Sequence, residues 1–478
     1  MRALVAGLVL SLAAPCVAAS ARSPAPEAAA TDPKIAAAVD SAANAALATG
    51  RVPAVAVAVA RGGRIVFERA YGYADTARKI PATVDTRFEI GSVTKQITAA
   101  CVLQLAREKK LSLDDRLARY LSDYFVGRGV TIRQLLEQVS GIPEYLEGDD
   151  LPGAAAKPVS FAGLLARVSA KPLDFAPGSR WKYSNTNYAI LGRIVALVSR
   201  EPYETYVREH VFAPAGMTQS GFIDDEATLP EVARGYVSGV KGNVPAPPLQ
   251  ADWAGAAGAV VSTVGDVVKW NAALADGTIL PAGDVATMRT SATVADGAQT
   301  NYGFGFVVDS LDGHARVWHN GQTFGFYALD AVFPDDDESI VVLSNSALPS
   351  ADAIERDAFA ASHPDVAAAS AVTTPAPGDD SAITSRARAT FVTFQTNDID
   401  RTRFTDAMSR ALTPDKLAAL SDQLRPLGPP PPFVFRGNVR SGALTTFTYR
   451  VTYPTIALSI VMTLDADGKI AGFVIRPA

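Results

Sequence analysis

Pro53 to Ala60 reads Pro-Ala-Val-Ala-Val-Ala-Val-Ala, and Arg64 to Tyr71 is a second β-rich run beyond Gly62-Gly63. Paired glycines supply the positive φ of a two-residue hairpin turn, so these runs predict adjacent antiparallel strands. An Ala-rich amphipathic stretch from Lys34 to Leu47 predicts a helix before them. Antiparallel strands directly after an N-terminal helix argue against a doubly wound parallel sheet, which needs a long crossover between successive strands.

The remaining punctuation extends this frame. A helix is expected from Ser92 to about Glu108, a short one from Thr131 to Gln138, then a mostly helical block to about Pro214. Ala233 to Pro248, rich in Gly and Pro, reads as loop, and Ser262-Thr263-Val264-Gly265-Asp266 caps another helix. Tyr302–Val308, Val317–Trp318, Phe324–Phe333 and Ser339–Ser344 read as consecutive strands, closed by a helix over Ala351–Ala361. The expected fold class is α/β (α+β): an antiparallel sheet shared by both ends of the domain, flanked by helices, with an inserted helical subdomain.

At 478 residues two domains are the natural expectation. Composition places a linker at 364–381, between a first domain over 31–363 and a C-terminal one over 382–478. The latter shows helical periodicity, the stiff break Gly428-Pro-Pro-Pro-Pro432, then four β-rich runs: Phe433–Arg440, Ala443–Thr452, Ile456–Leu464 and Lys469–Ile475. Helices followed by an antiparallel meander resemble nuclear-transport-factor-like rolls. No nucleophile–base set occurs there, so binding an unidentified partner, or spacing, is its default role.

Residues 1–21 join Met-Arg to an apolar run and small residues, which predicts a secretory signal cleaved after Ala19 or Ala21. The expected location is periplasmic or secreted; Pro15 before Cys16 fits a lipid-attachment box poorly. Removal of the signal leaves Cys101 as the one cysteine, read as a small core residue, so no disulfide framework exists. A net charge of −5 gives no basic surface for nucleic acid. No later apolar run reaches the length of a membrane span.

Chemistry concentrates in Phe88-Glu89-Ile90-Gly91-Ser92-Val93-Thr94-Lys95. A serine at a helix start meets unpaired N–H groups and the positive helix end. Lys95 lies one turn on along the same face, within reach of that hydroxyl. The spacing also fits an ordinary N-cap serine, and Ser238-Gly-Val-Lys241 repeats it in a Gly/Pro-rich segment that cannot start a helix. Other catalytic plans lack their parts. There is no Gly-x-Ser-x-Gly elbow, no Walker-type loop, and no metal pairing among His210, His314, His319 and His363. Asp335-Asp336-Asp337-Glu338 reads as a solvated turn. Neither a metal nor another cofactor is expected.

Two further groups stand out: Trp181-Lys-Tyr183-Ser-Asn185 after Phe175-Ala-Pro-Gly178, and Trp318-His319-Asn320-Gly321-Gln322. Taken singly, each reads as a turn. Ser-x-x-Lys, then Tyr-x-Asn about ninety residues on, then His-x-Gly before a strand resembles the serine β-lactamase and penicillin-binding family, in its class C, DD-peptidase and esterase branch. Leu135-Leu-Glu-Gln-Val-Ser-Gly-Ile142, Gly258-Ala-Val-Val-Ser-Thr263 and Tyr302-Gly-Phe-Gly-Phe306 extend the likeness across about 31–363.

The resemblance implies an exported serine hydrolase acting on a small-molecule or peptide substrate, an ester or peptide-like amide. Ser92 would be the nucleophile. Lys95 would take its proton or lower the pKa of Tyr183, and Tyr183 would protonate the leaving group and activate water. Asn185 would orient Lys95 and the acyl side chain, and the N–H groups of Ser92 and Gln322 would form the oxyanion hole. Many β-lactamases carry Lys-Thr-Gly where this chain has His319-Asn320-Gly321. A titrating ring thus stands in place of a permanent cation, able to bind a carboxylate when charged, with Gly321 keeping the backbone close to the substrate. Weak or absent lactamase activity is expected. The alternative is a sensor of the same fold that acylates with little turnover.

Overall fold

The computed structural model describes residues 32–121, 127–148, 150–239, 242–347, 351–364, 366, 375–376, 378–441, 444–453 and 457–477. The expected signal segment 1–21, Cys16, Lys241 and most of the linker lie outside the described residues.

Strand Ala54–Arg61 is an interior strand, third of the seven in the main sheet. The order is Ile80–Pro81, Arg64–Asp75, Ala54–Arg61, Glu338–Ser344, Tyr327–Phe333, His314–Gln322, Val307–Leu311, with every neighbour pair antiparallel. Gly62 and Gly63, at φ 56° and 68°, make the hairpin turn. Successive side chains of a strand point to opposite faces, and this strand divides its residues accordingly. Val55, Val57 and Val59 pack with Ile35 and Val39 of helix Pro33–Ala48 and with Ile354, Ala358 and Phe359 of helix Ala351–Ser362. Ala56, Ala58 and Ala60 face the larger core that holds helix Thr94–Arg107. Cys101 is fully buried in that core, as the sequence suggests.

The C-terminal residues form helices Ser381–Thr396, Asp406–Ala411 and Pro414–Leu424, then an antiparallel meander of Val434–Ser441, Leu444–Thr452, Ala457–Leu464 and Ile470–Pro477. Their apolar core is their own: Phe391, Phe394, Phe404, Tyr449, Ile460 and Met462 are among its members. Among the described residues no helix is long and apolar enough to cross a membrane.

Three local readings need correction. Ala233–Pro248 is not all loop, because Tyr236–Gly239 and Gly242–Pro245 pair as a hairpin. Tyr302–Phe306 is not strand; the strand begins at Val307, and Gly305 at φ 77° turns the chain before it. The acidic turn is not uniformly solvated, since Glu338 is buried and bonded to Arg61 at 2.8 Å.

Candidate active site

Ser92 sits in a 3₁₀ turn, Gly91–Val93, that leads into helix Thr94–Arg107. Strand Phe88–Glu89 pairs with Val260–Ser262, and Ile90 N–H bonds Val260 O at 3.0 Å, which anchors the approach to the turn. Neither helix start carries a side-chain capping bond. The Ser92 hydroxyl instead meets Lys95 Nζ at 2.9 Å and Tyr183 OH at 2.7 Å.

Lys95 has no solvent exposure. Its other two contacts are Asn185 Oδ1 at 2.8 Å and Ala257 O at 2.7 Å, both able only to accept. Two amine hydrogens are therefore committed to carbonyls, and what remains of the nitrogen points at Ser92 Oγ. In the neutral amine that remainder is a lone pair. Burial depresses the Lys95 pKa to about 7, with the charge of Glu144 opposing. Glu144 also fixes Asn185: its Oε2 accepts from Asn185 Nδ2 at 2.9 Å and from the Asn185 N–H at 2.6 Å, which leaves Oδ1 facing the lysine. Glu144 escapes a sequence reading because nothing in Ser140-Gly-Ile-Pro-Glu144 announces a partner 41 residues away.

Tyr183 precedes helix Asn185–Ser199 and holds its ring 4.8 Å from Lys95 Nζ. Burial pushes its phenol well above the ordinary range, so the group facing Ser92 is a neutral hydroxyl. Edge-on to it stands Tyr302, with ring centroids 6.2 Å apart.

His319, Asn320 and Gly321 do not form a strand-end turn; they lie within strand His314–Gln322. His319 is buried, 3% exposed. One ring nitrogen bonds the Asn320 carbonyl and the other meets Tyr302 OH at 3.0 Å. Only an N–H can bond a carbonyl, so Nδ1 carries the hydrogen and Nε2 accepts from the phenol. Burial, reinforced by the nearby Lys95 charge, lowers the pKa to about 3. Against the expectation of a titrating ring that binds a carboxylate, burial favours the neutral form, and both ring nitrogens are already committed to Asn320 O and Tyr302 OH, with the ring 6.0 Å from that of Tyr183.

Val307–Leu311 pairs with His314–Trp318 and leaves the last residues of strand His314–Gln322 unpaired on that edge, where they back the nucleophile turn. A Cβ on Gly321 would lie 1.8 Å from Ile90 O and 2.9 Å from Ser92 N. The close approach that Gly321 permits is thus to the turn carrying Ser92. Gly91, at φ 49°, makes the reciprocal contact, where a Cβ would meet Gln322 N at 2.6 Å. Ser92 and Gln322 are brought together by two glycines. A cavity of about 260 Å³ opens beside them, lined by Leu146, Leu151, Leu249, Trp253 and Phe324 along with Ser92 and Asn185.

The β-lactamase family model matches residues 39–365. The chain belongs to the β-lactamase family. Among relatives of this β-lactamase-family protein, a Bacillus subtilis (strain 168) chain carrying the name penicillin-binding protein PbpX is 33% identical over 286 residues, 60% of this chain and 68% of that one. A D-aminopeptidase of Brucella anthropi is 32% identical over 278 residues, 57% of this chain. This chain spans about half, 52%, of that enzyme's length. A D-stereospecific amidohydrolase from a Streptomyces species has a solved structure with a TM-score of 0.60 at 26% identity, covering 68% of this chain and 98% of its own.

Proposed function

We propose that this chain is an exported serine hydrolase that opens amide or ester bonds through a Ser92 acyl-enzyme, preferring acyl groups with an apolar side chain of D configuration. The coarser statement, a serine hydrolase of the β-lactamase family, rests on the matched family and on relatives named for D-amino-acid amide hydrolysis. The observation that carries the reading is the bracketing of Ser92 Oγ by a buried amine at 2.9 Å and a phenol at 2.7 Å.

Neutral Lys95 takes the Ser92 proton as Oγ attacks the carbonyl carbon. This favours the first of the two roles open to it in the sequence, because the Tyr183 pKa is raised rather than lowered. The resulting ammonium is held by Asn185 and Ala257 O. Tyr183, bonded to the same Oγ, relays to the leaving group the proton that Lys95 took, so that the amine and the phenol are both restored, and afterwards positions the water that Lys95 deprotonates. The N–H groups of Ser92 and Gln322 receive the oxyanion, each such donor being worth roughly 3 kcal/mol of barrier.

The apolar cavity suits an aliphatic or aromatic acyl side chain. Among the described residues no arginine or lysine lines it, and burial favours neutral His319, so a substrate carboxylate meets no cation among them. This supports amides and esters over β-lactams and free C-terminal D-peptides. A panel of D-phenylalanine p-nitroanilide, p-nitrophenyl butyrate, a D-Ala-D-Ala peptide and nitrocefin tests it, with Ser92→Ala as control. Turnover of the first two, lost in the control, is expected. Nitrocefin as the best substrate, or activity that survives Ser92→Ala, would overturn the reading. Labelling of Ser92 by a fluorophosphonate without turnover of any substrate would identify an acylating sensor.

The pH profile is a separate expectation. The reactive form needs deprotonated Lys95, so kcat/KM should rise with pH through about 7 and then level. His319, neutral above about 3, adds no second inflection in that range. A flat profile from pH 5 to 9 with a chemistry-limited substrate would remove Lys95 as the base.

A further inference from the structure

Three side chains that the reaction does not use converge far from Ser92. His314 opens the strand that ends at Gln322, Asp336 lies in the turn before Glu338, and His363 follows helix Ala351–Ser362. Asp336 holds His314 Nδ1 at 2.9 and 3.0 Å from its two oxygens, and His363 Nε2 at 3.4 Å from Oδ1. One donor atom from each of the three falls within 4.8 Å of the others. Seven residues of strand separate His314 from Gly321, roughly 23 Å at about 3.3 Å per residue.

The ring of His363 carries the decisive detail. Its Nδ1 lies 3.0 Å from Phe359 O, and a carbonyl accepts only from an N–H, so this nitrogen holds the hydrogen. In the neutral ring the Nε2 lone pair then faces a carboxylate oxygen, a repulsive contact unless a proton or a metal ion lies between. A remote N–H bonded to a backbone carbonyl is the support that metal-bound histidines have. Donors at about 2.0–2.1 Å from a tetrahedral zinc ion stand roughly 3.3 Å apart, close to the separations from Asp336 seen here. Phe359 stacks on His363 at 4.0 Å, meets His314 edge-on at 5.1 Å, and is itself stacked on Phe333 at 3.7 Å, which fixes both rings.

We propose that His314, Asp336 and His363 form a binding site for a divalent transition-metal ion of the zinc type, with solvent completing the shell. Two imidazoles and one carboxylate select zinc, cobalt, nickel or copper over calcium and magnesium. The ion takes the place of the hydrogen that His314 Nδ1 directs at Asp336. It would tie the end of the closing helix to the turns at either end of the β-rich segment 314–336.

Chelator-treated full-length protein titrated with zinc chloride at pH 7.5 tests the site by calorimetry and thermal unfolding. One zinc ion per chain is expected, with a rise in Tm at zinc concentrations well above Kd, and no rise with magnesium. Cobalt(II) should give visible absorption bands that are lost in both His363→Ala and Asp336→Asn and kept in His210→Ala. The spectral readout does not depend on how much either variant is destabilised. Absence of stoichiometric zinc binding in the native chain, or bands unchanged in both variants, would overturn the proposal and leave a hydrogen-bonded His–Asp–His clasp.

Discussion

Lys95→Met is expected to lower kcat/KM for D-phenylalanine p-nitroanilide by about 10⁴-fold, the upper range for removing a general base. Methionine fills a similar volume and offers no amine lone pair to Ser92. The same substitution should raise stability, and the pH dependence of that gain identifies its cause. The Lys95 pKa in the fold, about 7, lies below its ordinary 10.5. Between those values the unfolded chain binds a proton that the folded chain does not, so native stability climbs with pH across that window. Below pH 7 the cost of the buried cation is fully present. Removing the amine should therefore gain most at pH 6 and progressively less toward pH 10. The orphaned Asn185 Oδ1 and Ala257 O offset part of the gain, which makes the trend with pH the readout rather than any single Tm. A variant keeping more than a tenth of its kcat/KM would shift the base role to Tyr183.

Gly321→Ala should cost at least about 10²-fold in kcat/KM, because a displacement of the reacting groups by about 1 Å is enough for that. The added methyl would stand 1.8 Å from Ile90 O. That neighbour is backbone, so the strand and the nucleophile turn must move apart and take Ser92 N and Gln322 N with them. A lowered Tm and slower fluorophosphonate labelling should accompany the loss. Gly265→Ala is the matched control, since its nearest neighbour within 4 Å is Thr263 Oγ1 at 3.9 Å. It lies in helix Val264–Ala275, where alanine is the better helix former. Equal activity of the two variants would mean that the glycine contact does not position the nucleophile.

Period and punctuation made much of the architecture readable. The run around Val55, the paired glycines after it and the four C-terminal strands fall within a residue or two of expectation, since these follow from local backbone preference. The failures at Tyr302–Phe306 and at His319–Gly321 share one cause, a neighbour remote in sequence. Tyr302–Phe306 has the aromatic and β-branched content of a strand, but a Cβ on Gly305 would lie 2.8 Å from Lys95 O, and the chain turns there to pass the nucleophile helix. His319-Asn320-Gly321 has the composition of a turn, yet Gly321 is a strand glycine placed for another backbone's approach. Ser92, Lys95, Tyr183 and Asn185 could be picked out by spacing and resemblance, and the structure brings all four within hydrogen-bonding distance of one another's network. Glu144, which sets the orientation of Asn185, and the role of Tyr302 as donor to His319 Nε2 follow from contacts alone.

The central pairing of the sheet has a consequence for how the chain comes into being. Ala54–Arg61 joins Glu338–Ser344, and the Arg61–Glu338 bond spans 277 residues. Contacts so distant along the chain form late and slowly, because the closure entropy precedes any reward. Until they form, the meander that carries Gly321 is not joined to the N-terminal strands, and Gly321 does not yet back the turn of Ser92. A chain not yet synthesised as far as Ser344 therefore lacks that backing, and the site around Ser92 is completed only after the long-range pairing.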